Sequence, residues 1–403
     1  MDGSREELGE LDQKIAKMII ARVGGHGIPP EYGFNYFTVG LERYLNTLEK
    51  EYLETLIKDG GSSFKMIVAP FGNGKTHFLY CVRDLAWKHN YLISYITLSP
   101  QQTPFYKLEE VYKAIVENLT YPQEAEELLS GSERGIEAVI KKWFKEKYQE
   151  FSTKIADEEE VVRELVSYAS SLSKYDSASF RNAVKEAFIA LAKRREPTLI
   201  FQWLSGENPP RNLMREFRVF EKIDRSTAFK MIRSLAQWVK EIGYSGLVVL
   251  MDEAEMIPSM SSKQKARLLQ NLRELIDHCG QVHFGYTMWF YAVPDESFLE
   301  GRTQVFEALR QRLSTVFDEI NPTGVKILLD SIVEDPIEYL KEIGKRLARI
   351  YEVAYDVRFD DVDTLEEAIE SVAREAYEKK FQAGYKRLFV QAMIRKFHEL
   401  SGG

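Results

Sequence analysis

The run Phe64-Lys65-Met66-Ile67-Val68 leads without a spacer into Ala69-Pro70-Phe71-Gly72-Asn73-Gly74-Lys75-Thr76. The short apolar run reads as a buried strand. The glycines behind it predict a tight turn that opens a helix from Lys75 to about His89. A phosphate-binding loop has the pattern G-x-x-x-x-G-K-[S/T]. Ala69 stands at its first position, and the remaining requirements are met. Gly72 and Gly74 let the backbone turn its N–H groups onto phosphate oxygens. Lys75 supplies a point charge for the β- and γ-phosphates, Thr76 supplies a hydroxyl for Mg²⁺, and the helix start turns its positive end to the anion. Pro70, Phe71, Asn73 and His77 complete the segment expected to wrap ATP. A glycine-rich turn with a solvated lysine is the bland alternative.

A second run, Gly246-Leu247-Val248-Val249-Leu250-Met251, ends in Asp252-Glu253. Continuous apolar character suits a central parallel strand covered on both faces. The acidic pair at its end is the arrangement of a Walker B strand. Asp252 is then expected to hold Mg²⁺, and Glu253 to polarise the attacking water, because phosphoryl transfer depends on positioning and charge neutralisation. An acidic helix cap after a strand looks the same in isolation. Two such motifs, each at a strand end, favour the nucleotide reading.

Before the first strand, apolar spacing predicts a helix over residues 8–23, broken by Gly24–Gly27, and a second from about 41 to 57 ending at Gly60-Gly61. Leu92–Leu98 reads as a strand. Residues 105–120, 123–129, 135–150, 157–173, 178–195 and 225–241 read as successive helices. A helix at 262–279, strand-like residues at 282–293 and a short strand near Ser314–Phe317 follow, and the chain is read as helical from Pro322 onward. The fold expected is α/β, a P-loop parallel sheet of about five strands with a large helical insertion and a C-terminal helical lid. Its expected divisions are 1–104 (N-terminal helices and the first half of the core), 105–244 (insertion), 245–321 (second half of the core) and 322–403 (lid).

Composition sets bounds on function. The chain has 403 residues, 44% of them hydrophobic, with 62 acidic against 54 basic side chains and a net charge of −8. Bulk charge therefore does not suit it to coat nucleic acid. Cys81 and Cys279 give neither a disulfide framework nor a metal-ligand spacing. The polar, acidic start and the lack of an apolar run of ~20 residues predict a cytoplasmic protein without membrane contact.

Several polar residues remain candidates. Arg302, Arg310 and Arg312 enter the last strand-like segment, where an arginine reaches a phosphate in cis or across a subunit boundary, or else lies on a solvated helix face. Arg387 in the final helix is a candidate second sensor. Thr287 and Asp295 compete for the polar sensor after the fourth strand, and Glu255 reads as structural. Residues 211–233 hold Arg211, Arg215, Arg218, Lys222, Arg225, Lys230 and Arg233 against Glu216, Glu221 and Asp224. That surplus, with Phe217, Phe220 and Trp203 nearby, suits a nucleic-acid backbone or a solvated face.

With these residues in place the chain resembles the BrxD-like ATP-binding proteins of BREX phage-defence systems. The resemblance runs through Ile28-Pro29-Pro30, Tyr36-Phe37-Thr38-Val39-Gly40, the P-loop, Thr103-Pro104 and Trp203-Leu204-Ser205-Gly206-Glu207. It continues through Phe220–Asp224, Gly243–Gly246, Asp252-Glu253 and Ala308–Leu313. Ala69 departs from the usual P-loop glycine. The resemblance implies an AAA+-like ATPase with a role on DNA, a helicase partner, assembly as a homo-oligomer or hetero-complex, and an adenine pocket lined by Thr38, Val39 and Gly40. The reading is therefore an ATP-hydrolysing switch or motor acting on DNA or a DNA-bound partner. Its competitors are an ATP-dependent assembly scaffold with negligible turnover and a small-molecule P-loop kinase.

Overall fold

The computed structural model describes residues 11–123, 128, 131, 133–252, 260–281, 283–297, 304–381 and 384–402. Among these, strands β1 (Ser62–Val68), β2 (Leu92–Thr97), β3 (Leu119–Thr120), β4 (Leu247–Asp252), β5 (Thr287–Val293) and β6 (Lys326–Leu328) form one sheet in the order β3-β2-β4-β5-β1-β6. Every pairing is parallel except β2 with β3. The crossing order carries the chain from β1 over β5 and β4 to β2, so successive connections cover both faces with helices.

Side-chain alternation in the strands separates two cores. Phe64 and Met66 of β1, Leu247, Val249 and Met251 of β4, and Trp289 and Tyr291 of β5 face the helices between β2 and β4. Ile67, Val248, Leu250, Met288, Phe290 and Ala292 face the N-terminal and C-terminal helices. A strand buried on both sides has little use for polar side chains, which is why β4 is apolar up to Asp252 at its end and β5 is apolar and aromatic after Thr287.

The sheet has one more strand than expected, and its last strand lies elsewhere. Ser314–Phe317 contributes only a bridge from Val316 to Lys326. The chain turns there through Asp318, whose carboxylate accepts from the N–H groups of Ile320 and Asn321. It returns as β6 to pair with β1, inside the span read as helical. β3 is a two-residue edge strand after the helix Leu108–Glu117, and β5 begins at Thr287 rather than at 282.

The first helix, α1 (Gln13–His26), is capped by Asp12, which accepts from the N–H of Lys14 at 2.7 Å. It runs through Gly24 and Gly25, expected as a break, and at Gly24 it packs closely on Ile394 of the final helix. The second helix, Glu42–Leu48, continues as a π-helical turn, Glu49–Leu56. Between β2 and β4 the helices Thr198–Leu204 and Arg211–Glu216 join those read from the sequence, and most of the helix read over 123–129 lies outside the described residues. After β6 come Pro336–Tyr355, Val362–Glu378 and α2 (Tyr385–Leu400), packed together and against α1. Among the described residues, no helix is long and apolar enough to cross a membrane.

Candidate nucleotide site

Parallel register brings the ends of β1, β4 and β5 to one edge of the sheet, where open α/β folds bind ligands. The P-loop leaves β1 at that edge. Gly72 and Gly74 take φ of 73° and 96°, a region side chains avoid, and the turn they make opens the helix Lys75–Lys88. Ala69 is 1% exposed and joins the core, while its N–H donates to the Val293 carbonyl at 3.2 Å. Its methyl is thus absorbed by packing.

Lys75 is 6% exposed. Its Nζ donates to the carbonyls of Ala69 at 2.8 Å and Pro70 at 3.3 Å and lies 5.2 Å from the Phe71 ring centroid. Thr76 Oγ1 donates to Asp252 Oδ2 at 2.7 Å, so the last residue of the loop motif meets the first acid of the second motif although 176 positions separate them. Tyr95 on β2 also donates to Asp252 Oδ2, at 2.5 Å, and burial with the neighbouring Asp252 charge pushes its phenol up. Thr76 and Asp252 offer adjacent hard oxygens, the donor type Mg²⁺ prefers.

A cavity of about 400 Å³ opens over the loop, lined by Phe71–Phe78, Asp252 and, from the far side, Phe37, Leu41, Tyr339 and Arg387. A second, more polar cavity of about 780 Å³ shares Thr76, Asp252 and Arg387 with it. Arg387 sits over the loop: its N–H donates to the Gly72 carbonyl at 3.1 Å, and a Cβ placed on Gly72 would lie 2.9 Å from Arg387 Cβ. Beside it, Asn73 Nδ2 donates to both oxygens of Asp330 at 3.1 and 3.0 Å, and Lys386 Nζ lies 3.6 Å from the same carboxylate. Burial lowers the Lys386 ammonium, and the Asp330 charge opposes that shift. His77 contacts Thr38 Oγ1 at 2.7 Å between the edges of Phe34 and Phe37. Burial first, then the Lys386 charge, lowers its pKa to about 4, so it is neutral at pH 7.

Phe71, Gly72, Asn73, Gly74, Lys75, Thr76, His77, Asp252 and Arg387 therefore converge on one cavity, with Pro70 beneath as an acceptor for Lys75. Thr38, Val39 and Gly40 do not line it. Gly40 is exposed, and the short 3₁₀ turn Phe34–Phe37 instead presents Phe37, with Leu41 beyond. Arg312 is engaged by Asp277 at 2.5 Å and Arg310 is exposed; neither lines the cavity. Thr287 lies at the opposite end of β5, bonded to the Phe284 carbonyl, and Asp295 caps a turn at Ser297. Glu253, Glu255 and Arg302 lie outside the described residues.

Sequence reasoning missed Tyr95, Asp330 and Lys386. Tyr95 was traceable as a polar-tipped residue on a strand adjoining the Walker B strand. Asp330 and Lys386 carry no local pattern.

In the basic stretch, Arg211, Arg215, Arg218, Lys222 and Arg225 are exposed. Lys230 pairs with Glu221, and Arg233 with Asp176 at 2.5 Å.

A family model described as BREX system ATP-binding protein BrxC/D matches residues 11–400. No curated protein and no solved structure matches the chain.

Proposed function

This chain belongs to the family of BREX system ATP-binding proteins BrxC/D, and we propose that it hydrolyses ATP with Mg²⁺ to act on DNA or on a DNA-bound partner such as a helicase. ATP binding and a place in phage defence come with the family; turnover, metal and target are our reading. The observation that carries it is the 2.7 Å bond between Thr76 and Asp252, which unites the phosphate loop with the acidic strand end. Bound there, Mg²⁺ would neutralise charge on the phosphates. Lys75, Gly72, Gly74 and the start of its helix cradle the β- and γ-phosphates. Arg387, already over the loop, stabilises negative charge developing during transfer. Glu253, next in sequence to Asp252, orients and deprotonates the attacking water. Arg310 or Arg312 would serve only toward a neighbouring subunit, and the exposure of Arg310 suits that assignment better than the engaged Arg312. The exposed cations of 211–225 supply the DNA contact, and the helices after β6 act as a lid that closes on nucleotide.

Burial of Ala69 weighs against the scaffold alternative, since the departure from glycine leaves the turn at Gly72 and Gly74 intact. A phosphate-release assay with and without DNA tests the proposal. Release above background, changed by DNA, is expected. ATP binding without release would establish the scaffold, and phosphate moved to a small acceptor would establish the kinase.

A further inference from the structure

Between the helices Arg211–Glu216 and Ala228–Glu241 the chain has no regular structure, yet its burial alternates. Val219 and Ile223 are 4% and 5% exposed, whereas Phe220 is 73% exposed and Lys222 is also outward. The backbone around Phe220 is held on both sides. The N–H groups of Phe220 and Glu221 donate to Ser179 Oγ at 3.0 and 3.1 Å, and the Arg218 carbonyl accepts from Asn182 at 3.0 Å. Trp203 Nε1 donates to the Glu221 carbonyl at 3.0 Å, and the Glu221 carboxylate is bound by Ser177 and Lys230. None of these contacts uses the phenyl ring. Burying such a ring stabilises a fold, and here a segment held by hydrogen bonds forgoes that gain and presents the ring to solvent.

The exposed charges on the same stretch of chain are mostly cationic. Arg215, Arg218, Lys222 and Arg225 are exposed, Glu216 is the exposed acid among them, and Asp224 is taken up by Ser226. We propose that Phe220 is a fixed stacking platform for an unpaired nucleobase, so that the ligand of this surface is single-stranded nucleic acid with its phosphates on the flanking cations. The inference rests on the reading that residues 211–233 contact DNA. A duplex hides the faces of its internal bases, whereas every unpaired base offers a π face, so the preference is for strandedness with tolerance of sequence. An acidic protein surface would satisfy the cations and leave the ring unused.

The test uses the full chain and three fluorescent probes of equal length: oligo-dT, an abasic strand and a duplex. Anisotropy titrations compare wild type, Phe220→Ala and Phe220→Trp, with ATP binding as the check of folding. Wild type is expected to favour oligo-dT over both other probes. Phe220→Ala should weaken oligo-dT binding by about tenfold, leave abasic binding and the salt slope unchanged, and be rescued by tryptophan. Equal affinity of wild type and Phe220→Ala for oligo-dT would overturn stacking while leaving the cationic contact intact. Equal wild-type affinity for oligo-dT and the abasic strand would do the same. Failure of wild type to bind any probe would overturn the DNA reading itself, and the platform with it.

Discussion

Two cationic regions of this protein treat charge in opposite ways. In the nucleotide cradle, Lys75 is 6% exposed and the Lys386 side chain 11%, and each is tied to named acceptors. Along 211–225, the arginines and Lys222 stand in solvent on a segment fixed by other residues. Low local dielectric makes a buried cation strong and costly, so its position relative to its anion must be held closely. An exposed cation is screened beyond about 8 Å at physiological salt and tolerates imprecise geometry. The first arrangement suits one small ligand of fixed shape, the second a long flexible polyanion.

The sharpest attempt to break this contrast is Lys75→Ala. It removes the ammonium proposed to meet the phosphates and leaves the Ala69 and Pro70 carbonyls without that donor. Detectable ATP binding should be lost in an equilibrium binding assay, and wild-type affinity would dismiss the P-loop assignment. Glu253→Gln should keep ATP binding and slow turnover by ~10²–10⁴, the usual worth of a positioned base. Hydrolysis at the wild-type rate would reduce Glu253 to a structural role.

On the exposed side, changing Arg211, Arg215 and Arg218 together to Glu should weaken DNA binding and make its salt dependence shallower. Three lost phosphate contacts lower the slope by about 2.7 on duplex and about 2.1 on a single strand. ATP affinity should survive, because the loop lies on a different element. Equal slopes for variant and wild type would make the stretch a solvated face or a protein interface.

The smallest effect concerns His77. Its folded pKa is lowered from 6.5 to about 4, so between these values the unfolded chain binds the extra proton. Stability supplied by the neutral imidazole is therefore complete above about pH 6.5 and lost as pH falls toward 4, by about 1–3 kcal/mol. Thermal melting of wild type and His77→Gln across this range checks it, and parallel pH profiles would show that His77 does not titrate with folding.

What the sequence disclosed follows from how far each instruction reaches. Gly72, Gly74, Lys75 and Thr76 specify a turn through their own backbone preferences, and Leu247–Met251 specifies burial through its own apolarity. Neither needs a distant partner to be legible. Leu119-Thr120 and Lys326–Leu328 are strands only because β2 and β1 offer them an edge, and a two- or three-residue pairing leaves no periodic trace. Asp330 meets Asn73 across 257 positions, a relation that no local pattern encodes. Gly24 and Gly25 look like a break because propensity counts against them, yet the helix continues through both, with Gly24 seated closely against Ile394.

The bond from the Arg387 N–H to the Gly72 carbonyl joins the phosphate loop to the final helix by main chain alone. Alanine scanning is blind to it, since no side-chain truncation deletes a peptide group. Gly384 guards the same junction, because a methyl there would collide with the Phe71 carbonyl. The Arg387 amide is thereby a built-in reporter: its rate of exchange with deuterated water reads the fit between loop and helix without a label or a mutation.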